Sequence, residues 1–294
     1  MQGIKEIVVV SGKGGTGKTS ITGALASLFR DKVVVDCDVD ASNLHIIFSP
    51  KEILTKKEFI GGKKAKIDGS LCTQCGTCIN ICRYNAISSE YRVDPLTCEG
   101  CGACFYLCPQ KAVDFSSRIS GYYYISKIAS NDPLIFAELL PGEENSGKLV
   151  ALLKNEAREL AKSSSKRLIL IDGPPGIGCP VISSLSGSNF ALIITEPTLS
   201  GEHDLKRITE LTHHFKIKAG VVVNKSDLNP YCVQQIQEYC EYEAISFLGE
   251  IPYDAKITEA QRNLKTILDF APECESSWAI KVIHNKLQRI LEEL

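Results

Sequence analysis

Continuous apolar runs alternate along this chain with stretches of helical periodicity. "IKEIVVV" from Ile4, "KVVVDCD" from Lys32, "RLILID" from Arg167, "FALIIT" from Phe190 and "KAGVVVN" from Lys218 read as buried strands, and "SFLGEIP" from Ser246 as a further one. Helices are expected from near Lys18 through "SITGALASLFR", and over about 146–163, 201–215, 230–242 and 275–293. Strands that lack polar alternation are covered on both faces. Their order therefore predicts an α/β domain, a mostly parallel sheet with helices on both sides. In the last helix Ile280, Ile283, Leu287, Ile290 and Leu294 recur at helical spacing. It ends Glu292-Glu293-Leu294, so docking on the core is expected rather than membrane binding.

The rhythm breaks near Ile60, where "GGKKAK" reads as a linker, and resumes after a cysteine-rich region ending near Phe115. This predicts a discontinuous α/β domain, 1–60 and 119–294, with a small α+β insertion at 61–118. Within the insertion, "IDGSLCTQCGTCINICRYNAI" from Ile67 is repeated as "VDPLTCEGCGACFYLCPQKAV" from Val93, every matching position 26 residues on. Cysteines, Gly76 and Gly102, and the flanking apolar residues all coincide, as two copies of one structural unit require.

The chain has 294 residues and a net charge of -2, so bulk charge makes no case for nucleic acid or an anionic membrane. Lys5 and Glu6 interrupt the first apolar run, which therefore reads as a strand rather than a signal peptide. A cytoplasmic setting is expected. In that setting 13 cysteines point to metal or redox chemistry instead of disulfides.

Two motifs carry chemistry. In "SGKGGTGKTS", Gly12 and Gly17-Lys18-Thr19 match a phosphate-binding loop between a strand and a helix. Gly12, Gly14, Gly15, Thr16 and Gly17 let backbone N–H groups cradle phosphate oxygens, and Ser20 at the helix start is expected to bind the nucleotide with them. Lys18 is expected on the β- and γ-phosphates of ATP or ADP, and Thr19 on Mg²⁺. The second motif is C-x₂-C-x₂-C-x₃-C, at Cys72, Cys75, Cys78 and Cys82 and again at Cys98, Cys101, Cys104 and Cys108 before Pro109. This is the two-cluster bacterial ferredoxin spacing, in which the fourth cysteine of each run ligates the other cluster. Two [4Fe–4S] clusters are expected, one on Cys72, Cys75, Cys78 and Cys108, the other on Cys98, Cys101, Cys104 and Cys82. Zinc is the competing metal. Arg83 stands where ferredoxins place proline.

With Lys13 as a second loop lysine, "KGGTGKT" resembles the deviant Walker A loop of the MinD/ParA/nitrogenase-iron-protein ATPases, and the whole chain resembles MinD-type ATPases with an inserted ferredoxin domain. The resemblance implies an ATPase that forms a homodimer when ATP-bound, Lys13 of each chain reaching the partner's nucleotide. In "VVVDCDVDASNL" it implies that Asp38 orients the attacking water and supports Mg²⁺, that Asp36 buttresses the loop, and that Asn43 is a switch asparagine. It further implies that Asp172, ending "LILID", serves Mg²⁺, that Gly173 to Gly176 form a second switch, and that Asn224, Pro252 and Asp254 form the adenine pocket. Cys179 lies where the nitrogenase iron protein has a cluster ligand. A bridging ligand, a reactive thiol and a small buried residue all stay open, the last favoured. Cys37, Cys232, Cys240 and Cys274 read as structural.

Lysines 51, 56, 57, 63, 64 and 66 read as a solvated linker, or as a dock for an acidic redox partner. Three functions follow. The leading one is an ATP-gated iron–sulfur protein passing electrons to a metal-containing partner. The alternative is an iron–sulfur or metal-cofactor assembly carrier of the Mrp type. A positioning ATPase with a structural ferredoxin comes third.

Overall fold

The computed structural model describes residues 3–50, 52–143 and 146–294. Lys51 of the basic stretch lies outside them. The strands are β1 (Lys5–Ser11), β2 (Lys32–Asp36), β3 (Ile53–Ile67), β4 (Val113–Lys127), β5 (Pro133–Leu139), β6 (Leu168–Pro175), β7 (Phe190–Thr195), β8 (Lys218–Asn224) and β9 (Ser246–Ile251). The helices are α1 (Lys18–Leu28), α2 (Leu44–Phe48), α3 (Thr77–Ile81), α4 (Ala103–Leu107), α5 (Ser146–Ser163), α6 (Cys179–Leu185), α7 (Leu199–His214), α8 (Pro230–Tyr242), α9 (Ala255–Arg262), α10 (Ile267–Phe270) and α11 (Glu275–Glu292). The sheet order is β3-β4-β5-β2-β6-β1-β7-β8-β9. Every pairing from β5 to β9 is parallel.

The chain divides into two compact units. One is Met1–Lys56, Tyr124–Ala137 and Ser146–Leu294, the other Lys57–Tyr123 with Glu138–Asn145. The first is the α/β body. Ile7 to Val10, Val33 to Val35 and Val221 to Val223 are fully buried, as their unbroken apolar runs require. In α11, Ile280, Ile283 and Leu287 are buried. None of the described helices is long and apolar enough to cross a membrane.

The second unit differs from the expected 61–118 insertion. "GGKKAK" is no linker but the middle of the 15-residue strand β3. Gly61 serves packing there, since a Cβ would come within 2.6 Å of the Phe59 ring and 3.0 Å of Ser120. Lys64 is buried rather than solvated, paired with Glu143 at 3.0 Å and donating to the carbonyls of Pro95 and Gly142.

The repeat is visible in the backbone. Asp68 N–H donates to Ala112 O at 2.7 Å, and Asp94 N–H to Ala86 O at 2.8 Å. Ala86 N–H donates to Cys82 Sγ and Ala112 N–H to Cys108 Sγ. Gly76 and Gly102 both take left-handed φ ahead of α3 and α4. Each of these bonds in one half thus has its counterpart 26 residues away in the other.

Candidate functional site

The first site lies in the α/β body, at the carboxyl ends of its parallel strands, where such sheets bind ligands. The loop after β1 turns at Gly17, whose φ of +86° only glycine adopts without strain. A Cβ there would also meet Asn224 Nδ2 at 2.3 Å. The first turn of α1 has no side-chain cap, which leaves its N–H groups for an anion. Asp172 is completely buried within β6, which runs on to Pro175 rather than ending at the aspartate, and it lies beside Asp36 at the end of β2. Lys18 Nζ lies 2.9 Å from Asp172 and 3.6 Å from Asp38. Thr19 donates to Asp172 at 2.7 Å.

Burial alone would lower the Lys18 pKa, but Asp172 and Asp38 outweigh it and hold the ammonium charged. Burial pushes the Asp38 carboxyl up, and Asp172 adds to this against the pull of Lys18. Burial and Asp172 likewise raise Asp36 to about 7. Three carboxylates, Asp172, Asp38 and Asp36, therefore act on one ammonium.

Asp36 accepts hydrogen bonds from the backbone N–H groups of Asp38, Asn43 and Leu44 and from Ser42 Oγ, a buttress for the segment entering α2. Lys13, Gly14, Gly15, Thr16, Gly17, Lys18, Thr19, Ser20, Asp38, Asn43, Asn224, Pro252 and Asp254 all line one pocket with about 1460 Å³ of empty volume. Gly12 and Asp172 do not. Gly12 serves close packing, a Cβ there meeting Asp204 at 2.1 Å, and Asp172 sits beneath Lys18 and Thr19. Asp254 caps α9. Two buried polar atoms in the pocket, Asn224 Oδ1 and Thr16 Oγ1, have no hydrogen-bond partner. Lys13 is held within its own chain, 3.3 Å from Glu196 and 3.1 Å from Ser200.

Sequence reasoning missed Lys225, Gln261 and Thr22. Lys225 bonds Glu196 and the Gly15 carbonyl. It directly follows Asn224, so "VVVNKSD" held the signal. Gln261 donates to Ser20 at 2.6 Å from α9, a helix the periodicity did not reveal. Thr22 lies 2.8 Å from Asp172 Oδ1, one turn after Lys18.

The second site lies in the cysteine-rich unit. One cavity, with about 320 Å³ of empty volume, is lined by Cys72, Cys75, Cys78 and Cys108. Another, of about 360 Å³, is lined by Cys82, Cys98, Cys101 and Cys104. Burial pushes the thiols of Cys78 and Cys104 up, whereas the Thr77 hydroxyl holds Cys75 down. Among the described residues no three His, Cys, Asp or Glu side chains converge on a point that would hold a single metal ion. Cys37, Cys232 and Cys240 are buried. Cys179, expected to be a small buried residue, is exposed as the first residue of α6, ahead of the positions that pack, Val181, Ser184 and Leu185.

The domain model of the CobQ/CobB/MinD/ParA nucleotide binding domain matches residues 7–267. Uncharacterized protein MJ0578 of Methanocaldococcus jannaschii is 40% identical over 293 residues, 98% of each chain. Among solved structures, septum site-determining protein MinD complexed with Mg-ADP from Pyrococcus horikoshii has a TM-score of 0.62 at 16% identity, over 98% of this chain and 97% of that one. The cell division ATPase MinD of Pyrococcus furiosus has a TM-score of 0.59 at 16% identity, over 99% and 100%. At that identity the two structures establish the common fold. The family match spans most of the chain and includes the phosphate loop, Asp38, Asp172, Asn224 and Asp254: this protein belongs to the CobQ/CobB/MinD/ParA nucleotide-binding family.

Proposed function

We propose that this chain is an ATP-hydrolysing iron–sulfur protein whose nucleotide-dependent dimerisation gates electron transfer to a metal-containing partner. The observation that carries the cluster reading is the sorting of eight cysteines into two cavities, each combining three from one run with the fourth from the other. That is the crossed grouping of a two-cluster ferredoxin. Four thiolates around one zinc ion would stand ~3.8 Å apart, from Zn–S bonds of ~2.3 Å. Among the described residues no three of these cysteines converge closely enough to hold a single ion. When bound, such clusters supply one-electron transfer. The chain's own part is to hold eight thiolates and to donate N–H from Ala86 and Ala112 to Cys82 and Cys108.

The nucleotide half rests on the family, on the open N-terminus of α1 and on the unpartnered Asn224 Oδ1, an acceptor suited to an adenine amine. Thr19, Asp38 and Asp172 would hold Mg²⁺. Lys18 would neutralise the β- and γ-phosphates, and Lys13 would leave Glu196 to meet the partner's nucleotide. Thirteen free cysteines suit a reducing cytoplasm, and no nucleic-acid or membrane partner is proposed. The exposed Cys179 favours a second reading, a carrier that hands a cluster or metal to a client. Anaerobically purified protein should contain about eight irons and eight acid-labile sulfides per chain. Two zinc ions per chain and no visible chromophore would end the cluster reading.

A further inference from the structure

The cysteine-rich unit carries an open cleft, with about 1010 Å³ of empty volume, that the functions above do not use. Four cations line it: Lys64 and Lys66 on β3, Arg118 on β4, and Arg92 between the repeats. Lys66, Arg92 and Arg118 are exposed. Among the described residues the Arg92 side chain pairs only with Glu90, at 3.6 Å with both side chains largely in water, a pairing of little strength. Lys66 influences Asp68 without forming an ion pair with it, and Arg118 has no ion pair among the described residues. The fourth cation, Lys64, is already satisfied by Glu143 and two carbonyls. The single lining carboxylate, Asp114, accepts from Ser116 at 2.8 Å. The cleft is thus positive on a chain whose net charge is -2.

Its position is specific. Ile67 and Tyr91 line both the cleft and the first cysteine cavity, while Ala65 and Val93 line both the cleft and the second. A molecule seated there lies one side chain from either set of four thiols. We propose that this cleft is the docking site of an acidic electron-carrier protein, its carboxylates facing Lys66, Arg92 and Arg118. A carrier protein suits the chemistry better than a small anion. The cations are spread over two strands and a loop and stand in solvent, and the one buried ammonium is consumed internally. Spread, solvated charge steers and orients a complementary surface, whereas a small anion needs converging desolvated donors. The class of partner rests on the cluster reading, while the charge of the partner rests on the cleft alone.

Titration calorimetry on the intact anaerobic chain tests this, with an acidic two-cluster ferredoxin as probe and basic cytochrome c as control. Ferredoxin should bind at low salt and weaken as the Debye length shortens below ~10 Å, and cytochrome c should not bind. Lys66→Glu/Arg118→Glu should lower the affinity at least ~tenfold, and the milder Lys66→Gln/Arg118→Gln about threefold. Unchanged affinity in both variants, or no ferredoxin binding, overturns the proposal. Competition by inorganic phosphate at constant ionic strength assigns the cleft to a small anion and overturns it too. Iron measured on the same samples separates the two readings. An iron-free chain that still binds ferredoxin through these residues ends the clusters and keeps the cleft. An iron-loaded chain whose binding ignores them ends the cleft and keeps the clusters.

Discussion

Single residues divide here into those whose role follows from a motif and those whose role follows from a neighbour. Lys18 and Thr19 belong to the first kind, and their approach to Asp172 is what a strand–loop–helix unit beside a strand carrying a buried carboxylate produces. Asp132 belongs to the second. No motif marks it, yet it is buried and accepts from Lys32 at 2.6 Å, Lys166 at 2.7 Å and Ser130 at 2.7 Å. Burial pushes its carboxyl up, but those hydrogen bonds outweigh burial and hold it at about 2. Lys32 is 1% exposed, so Asp132→Asn strands a buried ammonium and should destabilise the α/β body by about 3–5 kcal/mol at neutral pH. A depressed carboxyl stabilises only while ionised. The gap between wild type and variant should hold above the ordinary carboxylate pKa of about 4 and close as pH falls towards 2. Denaturant unfolding from pH 7 to 3 checks this, and a gap that widened on acidification would contradict the assignment.

Elements were read well where one period ruled and poorly where two demands met. The helix at Ser146–Ser163 and the strand at Phe190–Thr195 match their expected spans, because a single buried face set the pattern. β3 and β4 were missed. β3 carries runs of charged residues and β4 runs of serine and tyrosine, so neither has the unbroken apolar run of a doubly covered strand, and the paired glycines at 61 and 62 mimic a linker until the close approach of Phe59 and Ser120 gives Gly61 a reason. The short helices α3 and α4 show how an element sets the grouping of the thiols. Each ends at a fourth cysteine, Cys82 or Cys108, which lines the cavity of the other repeat. Cys82→Ala and Cys98→Ala should then damage the same cluster, so the double variant should keep about four irons, as each single variant does. Ligation confined to each run predicts instead that the double variant loses both clusters, which iron analysis and electron paramagnetic resonance distinguish.

At the scale of the whole molecule the open question is Lys13. Within one chain it is held by Glu196 and Ser200 at the pocket's edge. If it works across a dimer, Lys13→Ala and Asp38→Ala should each lose about 10³-fold or more in hydrolysis, on the scale of an arginine finger. An equal mixture should recover roughly a quarter of wild-type turnover, since half the dimers are mixed and each of those holds one intact site. Mixed dimers that form yet stay inactive would falsify action in trans. What the sequence by itself determined is whatever local chemistry dictates: the parallel strands from unbroken apolar runs, the phosphate loop from its glycines and lysine, the repeat from its 26-residue shift, and the grouping of cysteines from their spacing. What only the tertiary structure decided depends on residues far apart in the chain. Lys64 finds Glu143, Asp36 comes beside Asp172, Cys179 is left in solvent, and Lys66, Arg92 and Arg118 line one cleft. Spacing records the short-range geometry that a motif must keep, but burial and charge pairing are set by whichever distant segments the sheet and the repeat bring together, and no local pattern encodes them.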